Sequence, residues 1–181
     1  MVAAALALLA SACVGVIDRE DFDALVDERG GGVSSDLAVD AIAAVADRTG
    51  VDDLEMTSMS INPGGRTVVL TVRDPVERRN LDRWLYRGRG GLGDPEPVQV
   101  SADDDLDAQT FRASDVPALS RSEELADAAF AALDLESASV ESIVATVVQG
   151  EVNLILSVES PRARGNVRFA GDGTLIEAVL S

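Results

Sequence analysis

Residues 64–80 read GGRTVVLTVRDPVERRN, and residues 150–166 read GEVNLILSVESPRARGN. At one offset, 156 − 70 = 86, Leu70 falls on Leu156, Val72 on Val158, Pro75 on Pro161, Asn80 on Asn166 and Gly64 on Gly150. Each stretch reads as a glycine-led strand running into a proline-containing connector, so one pattern is written twice.

Working outward, similar elements flank both copies. Leu37, Ala38, Ala41, Ile42, Val45 and Ala46 recur at helical spacing, with Ser34 or Ser35 as N-cap and Gly50 as the stop, which predicts a helix from Ser35 to Thr49. Leu125, Ala126, Ala129, Phe130 and Leu133 repeat that apolar stripe. Ser120-Arg121-Ser122-Glu123 is a capping-box pattern that opens this second helix, from Ser120 to Leu133. The helices align at 88 (Leu37 with Leu125, Ala41 with Ala129), which places a two-residue difference between helix and first strand. Strands are expected at 54–61, 66–73, 81–87 and 98–101, and again at 140–148, 151–159, 166–170 and 174–180. Asn62-Pro63-Gly64-Gly65, Gln149-Gly150 and Gly171-Asp172-Gly173 supply turns between them. The expected fold class is α+β: two tandem repeats, residues 34–118 and 119–181, each one helix packed on its own three- to four-stranded antiparallel sheet.

Composition narrows the chemistry. The chain has 181 residues, 46% of them apolar, which is too many for a disordered acidic chain. Fifteen basic residues, all arginine, face 32 Asp and Glu for a net charge of −17. Such a chain repels nucleic acid phosphates, so nucleic acid is not an expected partner. With no histidine in the sequence, Ser-His and Cys-His nucleophiles, imidazole metal ligands and an ordinary switch near neutral pH are excluded. The glycines at 30–32 and 88–93 do not sit between a strand and a helix at the spacing of a phosphate-binding loop, and no cofactor is expected.

Val2 to Ala12 is an uncharged run of small and apolar residues that meets the only cysteine, Cys13. The run is shorter than the ~20 apolar residues a bilayer-spanning helix needs, and it reads as a signal peptide, residues 1–12. Ala10-Ser11-Ala12-Cys13 resembles the lipobox of bacterial lipoproteins, although Ala10 stands where a larger aliphatic residue is usual and no Lys or Arg precedes the run. The resemblance implies that Cys13 is diacylated on sulfur and becomes the new N-terminus, attaching the protein to the outer face of the cell membrane by a lipid anchor. The alternative is that Cys13 is a buried small hydrophobe in an N-terminal helix. Residues 13–33 would form the lipidated stalk, with a short helix at 18–26 stopped by Gly30-Gly31-Gly32.

A helix followed by an antiparallel meander, exported and duplicated, resembles the small α+β modules of PepSY-like domains and of the β-lactamase inhibitor proteins. Phe169 to Ala178, an apolar strand turning through Asp172-Gly173 into another, is similar to the last hairpin of a PepSY-like domain. The resemblance implies a noncatalytic binding or inhibitory module rather than an enzyme.

Arg73, Arg78, Arg79, Arg83, Arg87 and Arg89 crowd one region of the first half, and Arg162, Arg164 and Arg168 occupy the corresponding region of the second. Arg78, Arg79, Arg162 and Arg164 are therefore the candidates for docking an anionic partner, an envelope protein or a cell-wall polymer. The competing reading is that they pair with surplus carboxylates on solvated surfaces. A concave patch between the halves lined by these arginines favours binding, whereas convex charged surfaces favour a purely structural spacer. Asp103-Asp104-Asp105-Leu106-Asp107 lacks the pattern of an EF-hand loop and reads as the cap of a short helix ending near Phe111, so no metal is expected. Trp84 and Tyr86, two apart, share one side of a strand and read as core. A carboxylate pair of the glycosidase type is the one acid/base device that needs no histidine. An envelope hydrolase built on such a pair is the alternative function, although 32 acidic residues guarantee that some pair lies close.

Overall fold

The structure, a computed structural model, describes residues 32–135 and 137–181. The signal peptide, Cys13 and the stalk helix expected at 18–26 lie outside the described residues.

The expected elements form close to where periodicity placed them. Helix α1 spans Ser35–Thr49 and buries Leu37, Ala38, Ala41 and Val45. Gly50, at φ 71°, ends it by donating to the Ala46 carbonyl, a left-handed stop that glycine adopts without steric cost. Strands β1 (Glu55–Asn62), β2 (Thr67–Arg73) and β3 (Leu81–Arg87) follow, with short strands β4 (Gly91–Leu92), β5 (Glu96–Val98) and β6 (Phe111–Arg112) and a one-turn helix α2 (Leu106–Gln109). Helix α3 (Ser122–Leu133) leads into β7 (Ser139–Val148), β8 (Glu151–Glu159), β9 (Arg164–Ala170) and β10 (Leu175–Leu180). Gln149 and Gly150 both have positive φ (54° and 86°), as a two-residue hairpin between right-twisted strands requires.

The expectation of two sheets is corrected. All ten strands join one sheet in the order β10-β9-β8-β7-β1-β2-β3-β4, with β5 on β3 and β6 on β1. The join is the antiparallel pairing of β1 with β7, from Ser58↔Thr146 to Ile61↔Ile143. Pairing satisfies the backbone groups that two separate sheets would leave as exposed edges. It also merges the cores, so that Leu37, Ala41 and Val45 of α1 and Leu125, Ala129 and Leu133 of α3 belong to one apolar cluster with Met59, Leu70, Trp84, Leu154, Leu156 and Phe169. Trp84 is buried and Tyr86 half-buried against that cluster, as the core reading expects.

Two local expectations are also corrected. The capping box at Ser120 does not form: Pro117 opens a 3₁₀ turn through Arg121, the Ser120 hydroxyl donates to the Pro117 carbonyl, and α3 starts at Ser122. Glu123 instead reaches α1, accepting from the Ser35 amide at 2.8 Å and from the Ser35 hydroxyl. The strand expected at 98–101 ends at Val98, because Ser101 turns, its amide donating to the Asp104 carboxylate at 2.8 Å.

Candidate functional site

Because β1 and β7 are antiparallel, the β2–β3 connector and the β8–β9 connector emerge at opposite ends of the sheet. The four candidate arginines therefore do not converge. Arg78 and Arg79 sit at one end and Arg162 and Arg164 at the other. Three of the four are held locally: Arg78 on Glu55 at 2.8 Å, Arg79 on the carbonyls of Ser101, Ala102 and Asp104, and Arg164 on Glu159 at 2.6 Å. Exposed Arg162 lines a shallow depression with Ser160, Pro161 and Leu135.

At the Arg78 end, arginines and carboxylates surround a cavity of about 230 Å³. Arg73 is 7% exposed and organises the cluster. Its Nε donates to the Arg78 carbonyl at 2.6 Å, fixing the connector, and its Nη1 reaches Asp107 on α2 at 2.6 Å. Glu55 lies between Arg78 and Arg112, 2.8 and 3.4 Å away. Asp53 accepts from the amide and hydroxyl of Ser114, at 3.0 and 2.9 Å. The acidic run is spent in the same place: Asp105 caps α2 by accepting from the Ala108 amide, as expected, and Asp107 pairs with Arg73. Among the described residues no group of three or more Asp, Glu or Cys is arranged to hold a metal ion.

These contacts set acidities. The hydrogen bond and charge of Arg73 hold Asp107 below the usual carboxylate range. Burial pushes Asp53 up, but the Ser114 hydrogen bonds and the Arg112 charge outweigh it and leave the net shift downward. A carboxylate whose folded pKa is depressed stabilises the fold above its unfolded pKa and loses that contribution as pH falls through the folded value. The stability that Asp53 and Asp107 confer is therefore present above the ordinary carboxylate value, about pH 4, and is lost progressively as pH falls below it. Thermal melts at decreasing pH should show Tm falling below that point, and Asp107→Asn should flatten part of the fall. An unchanged pH profile in the variant would remove Asp107 from the account.

At the other end Glu141 and Glu159 lie side by side, both beside Arg164. The hydrogen bond between them raises Glu141, while Arg164 holds Glu159 down. Both side chains are exposed, 44% and 39%, on strands beside Arg164 rather than facing each other across a cleft.

A groove does run between the halves, but the arginines are not in it. Val33, Pro63, Ala126, Phe130 and Val140 line about 600 Å³, with Glu123 and Asp127 beside them. The remaining surface of note is β10. Of the six exposed large apolar residues among the described ones, four are its Leu175, Ile176, Val179 and Leu180. The sequence predicts a strand at 174–180, and the signal for its exposed apolar residues is the lack of alternation there, since a strand with one wet face keeps polar residues on that face.

No protein-family model matches the chain, and no curated protein matches it in sequence. Among solved structures it is similar in fold to a candidate lipoprotein from Clostridium difficile 630, with a TM-score of 0.57 and 12% sequence identity over 79% of this chain and 91% of that one.

Proposed function

We propose that this chain is an exported lipoprotein, anchored through diacylated Cys13, whose folded region is a noncatalytic binding or scaffolding module at the outer face of the cell membrane. The observation that carries the binding reading is the concentration of exposed apolar side chains on the edge strand β10, since large apolar groups gathered at one place on a surface mark an interaction site. The anchor rests on the apolar run that ends at Cys13. The fold shared with a candidate lipoprotein is consistent with it, as is the lack, among the described residues, of a helix long and apolar enough to cross a membrane.

We also infer that the folded region arose by duplication of a PepSY-like α+β unit. At the offset of 86, Met59 corresponds to Ala145, and these two residues are paired at the β1–β7 seam. The pairs one step to either side, Ser60↔Val144 and Ser58↔Thr146, exchange with each other at the same offset, which is the geometry of a local two-fold axis. The helices obey it too, for at their offset of 88 Ser35 corresponds to Glu123, its hydrogen-bond partner.

Metabolic labelling with a fatty acid tests the anchor. The wild-type chain should take up label and fractionate with membranes, and Cys13→Ala should lose both properties. Two acyl chains give stable anchoring where one gives only marginal binding. Persistent labelling of the alanine variant would overturn the assignment.

A further inference from the structure

The two ends of the sheet are finished differently. Beyond β3, the outer side is covered by β4 and β5, and β5 carries Pro97 together with Glu96, which pairs with Arg83 at 2.8 Å. Proline and charge on an edge are the usual devices against further strand addition. At the other end, β10 has β9 on one side and no strand on the other among the described residues. Its single charged residue, Glu177, is already matched by Arg168 of β9 at 2.9 Å.

The outward backbone groups of β10 can be assigned. The Ser181 amide donates to the Arg164 carbonyl, so by the alternation of an antiparallel ladder Val179 and Glu177 turn their backbone groups toward β9. Ala178 and Leu180 turn theirs outward. Side chains alternate in the other sense: Ala178 and Leu180 pair with Val167 and Gly165 and lie on the helix-covered face, while Glu177 and Val179 share the opposite face with Arg168 and Asn166.

We propose that β10 pairs antiparallel, edge to edge, with β10 of a second copy of this chain, which deepens the binding reading by naming the partner. The strand is complementary to itself. With Ala178 opposite its own counterpart, Glu177 faces the second Val179, Ile176 faces the second Leu180 and Leu175 faces the second Ser181, so no side-chain carboxylate lies directly opposite another and the exposed Ile176 and Leu180 cover each other. Charge also admits a like copy at this place. Residues 160–181 hold three arginines and two acids, 3 − 2 = +1, so the rest of the chain carries −17 − 1 = −18. Two copies meeting at β10 keep their acidic parts apart, whereas a strongly basic partner would find no acidic surface here. The device is the one already used at the β1–β7 seam, and the two-fold that relates the strands closes the assembly at two copies.

The test uses the full chain purified from membranes in detergent, with molar mass followed by light scattering over a concentration series. The wild type should be a dimer that dissociates on dilution. Ala178→Pro removes an outward N–H without breaking a bond to β9 and places proline on the edge; it should raise the dissociation constant at least about tenfold while leaving the melting temperature nearly unchanged. Leu180→Lys, which leaves the backbone intact, should do the same. A wild type monomeric at every concentration, or both variants dimerising as the wild type does, overturns the proposal, as does recovery of β10 paired with a different polypeptide. Cys13→Ala keeps the two readings apart: if it still carries lipid, the anchor assignment fails and the dimer measurements stand, whereas an unlabelled variant that remains dimeric supports both.

Discussion

Gly171→Ala is expected to destabilise the fold by about 3 kcal/mol, at or beyond the top of the usual range for overpacking. A Cβ at position 171 would lie 2.1 Å from the Asp115 carbonyl oxygen, well inside contact distance, and the obstructing atom is backbone, not the movable end of a side chain. Nor is Asp115 free to retreat. Its carboxylate accepts from the Arg112 amide at 2.7 Å, and the next turn is tied back by the Ala118 amide donating to the Gly171 carbonyl. Gly173, two residues on, should behave differently. Its φ of +93° demands glycine for conformational reasons, but its nearest obstacle is the Ala118 Cβ at 3.2 Å, so Gly173→Ala should cost only about 1 kcal/mol. Equilibrium denaturation of the two variants checks the order, and equal losses would mean that the close approach at Gly171 is relieved at no cost.

Leu70→Ala and Leu156→Ala should each lower stability by roughly 2 to 5 kcal/mol, and in both variants the whole chain should unfold in one transition. Both leucines are fully buried, Leu70 beside Met59 and Trp84, Leu156 beside Ile143 and Val167. Removing either side chain leaves a cavity in a close-packed interior. The single transition follows from the shared sheet and core: neither half can open without exposing β1 or β7 as a bare edge and breaking the apolar cluster. Denaturant titration followed by Trp84 fluorescence, which reports the first half, and by far-UV circular dichroism, which reports both, is the measurement. Coincident curves are expected; a Leu156→Ala chain whose Trp84 transition stays at the wild-type position would show two independent domains instead.

Local patterning determined a large part of this protein. Helical spacing located α1, and Gly50 stopped it; β8 was placed residue for residue at 151–159, because its apolar run and the Gln149-Gly150 turn are local signals. The pairing of helix and strands in each half was legible for the same reason, as was the burial of Trp84.

What residue order left open are the relations between distant parts. Whether two meanders stand apart or fuse depends on which edges meet, and the strand β1 that pairs with β7 carries no mark distinguishing an internal edge from an outer one. That choice then decided the arginines, for antiparallel fusion sends equivalent connectors to opposite ends and separates Arg78 and Arg79 from Arg162 and Arg164. It decided Glu123 as well, which satisfies the local rule for a capping box yet bonds across to Ser35, because the tertiary fold brings the two helix N-termini together. Gly171 makes the same point in one residue: residue order reads it only as part of a turn, and only the Asp115 carbonyl, 56 residues away in sequence (171 − 115), shows that it is there for space.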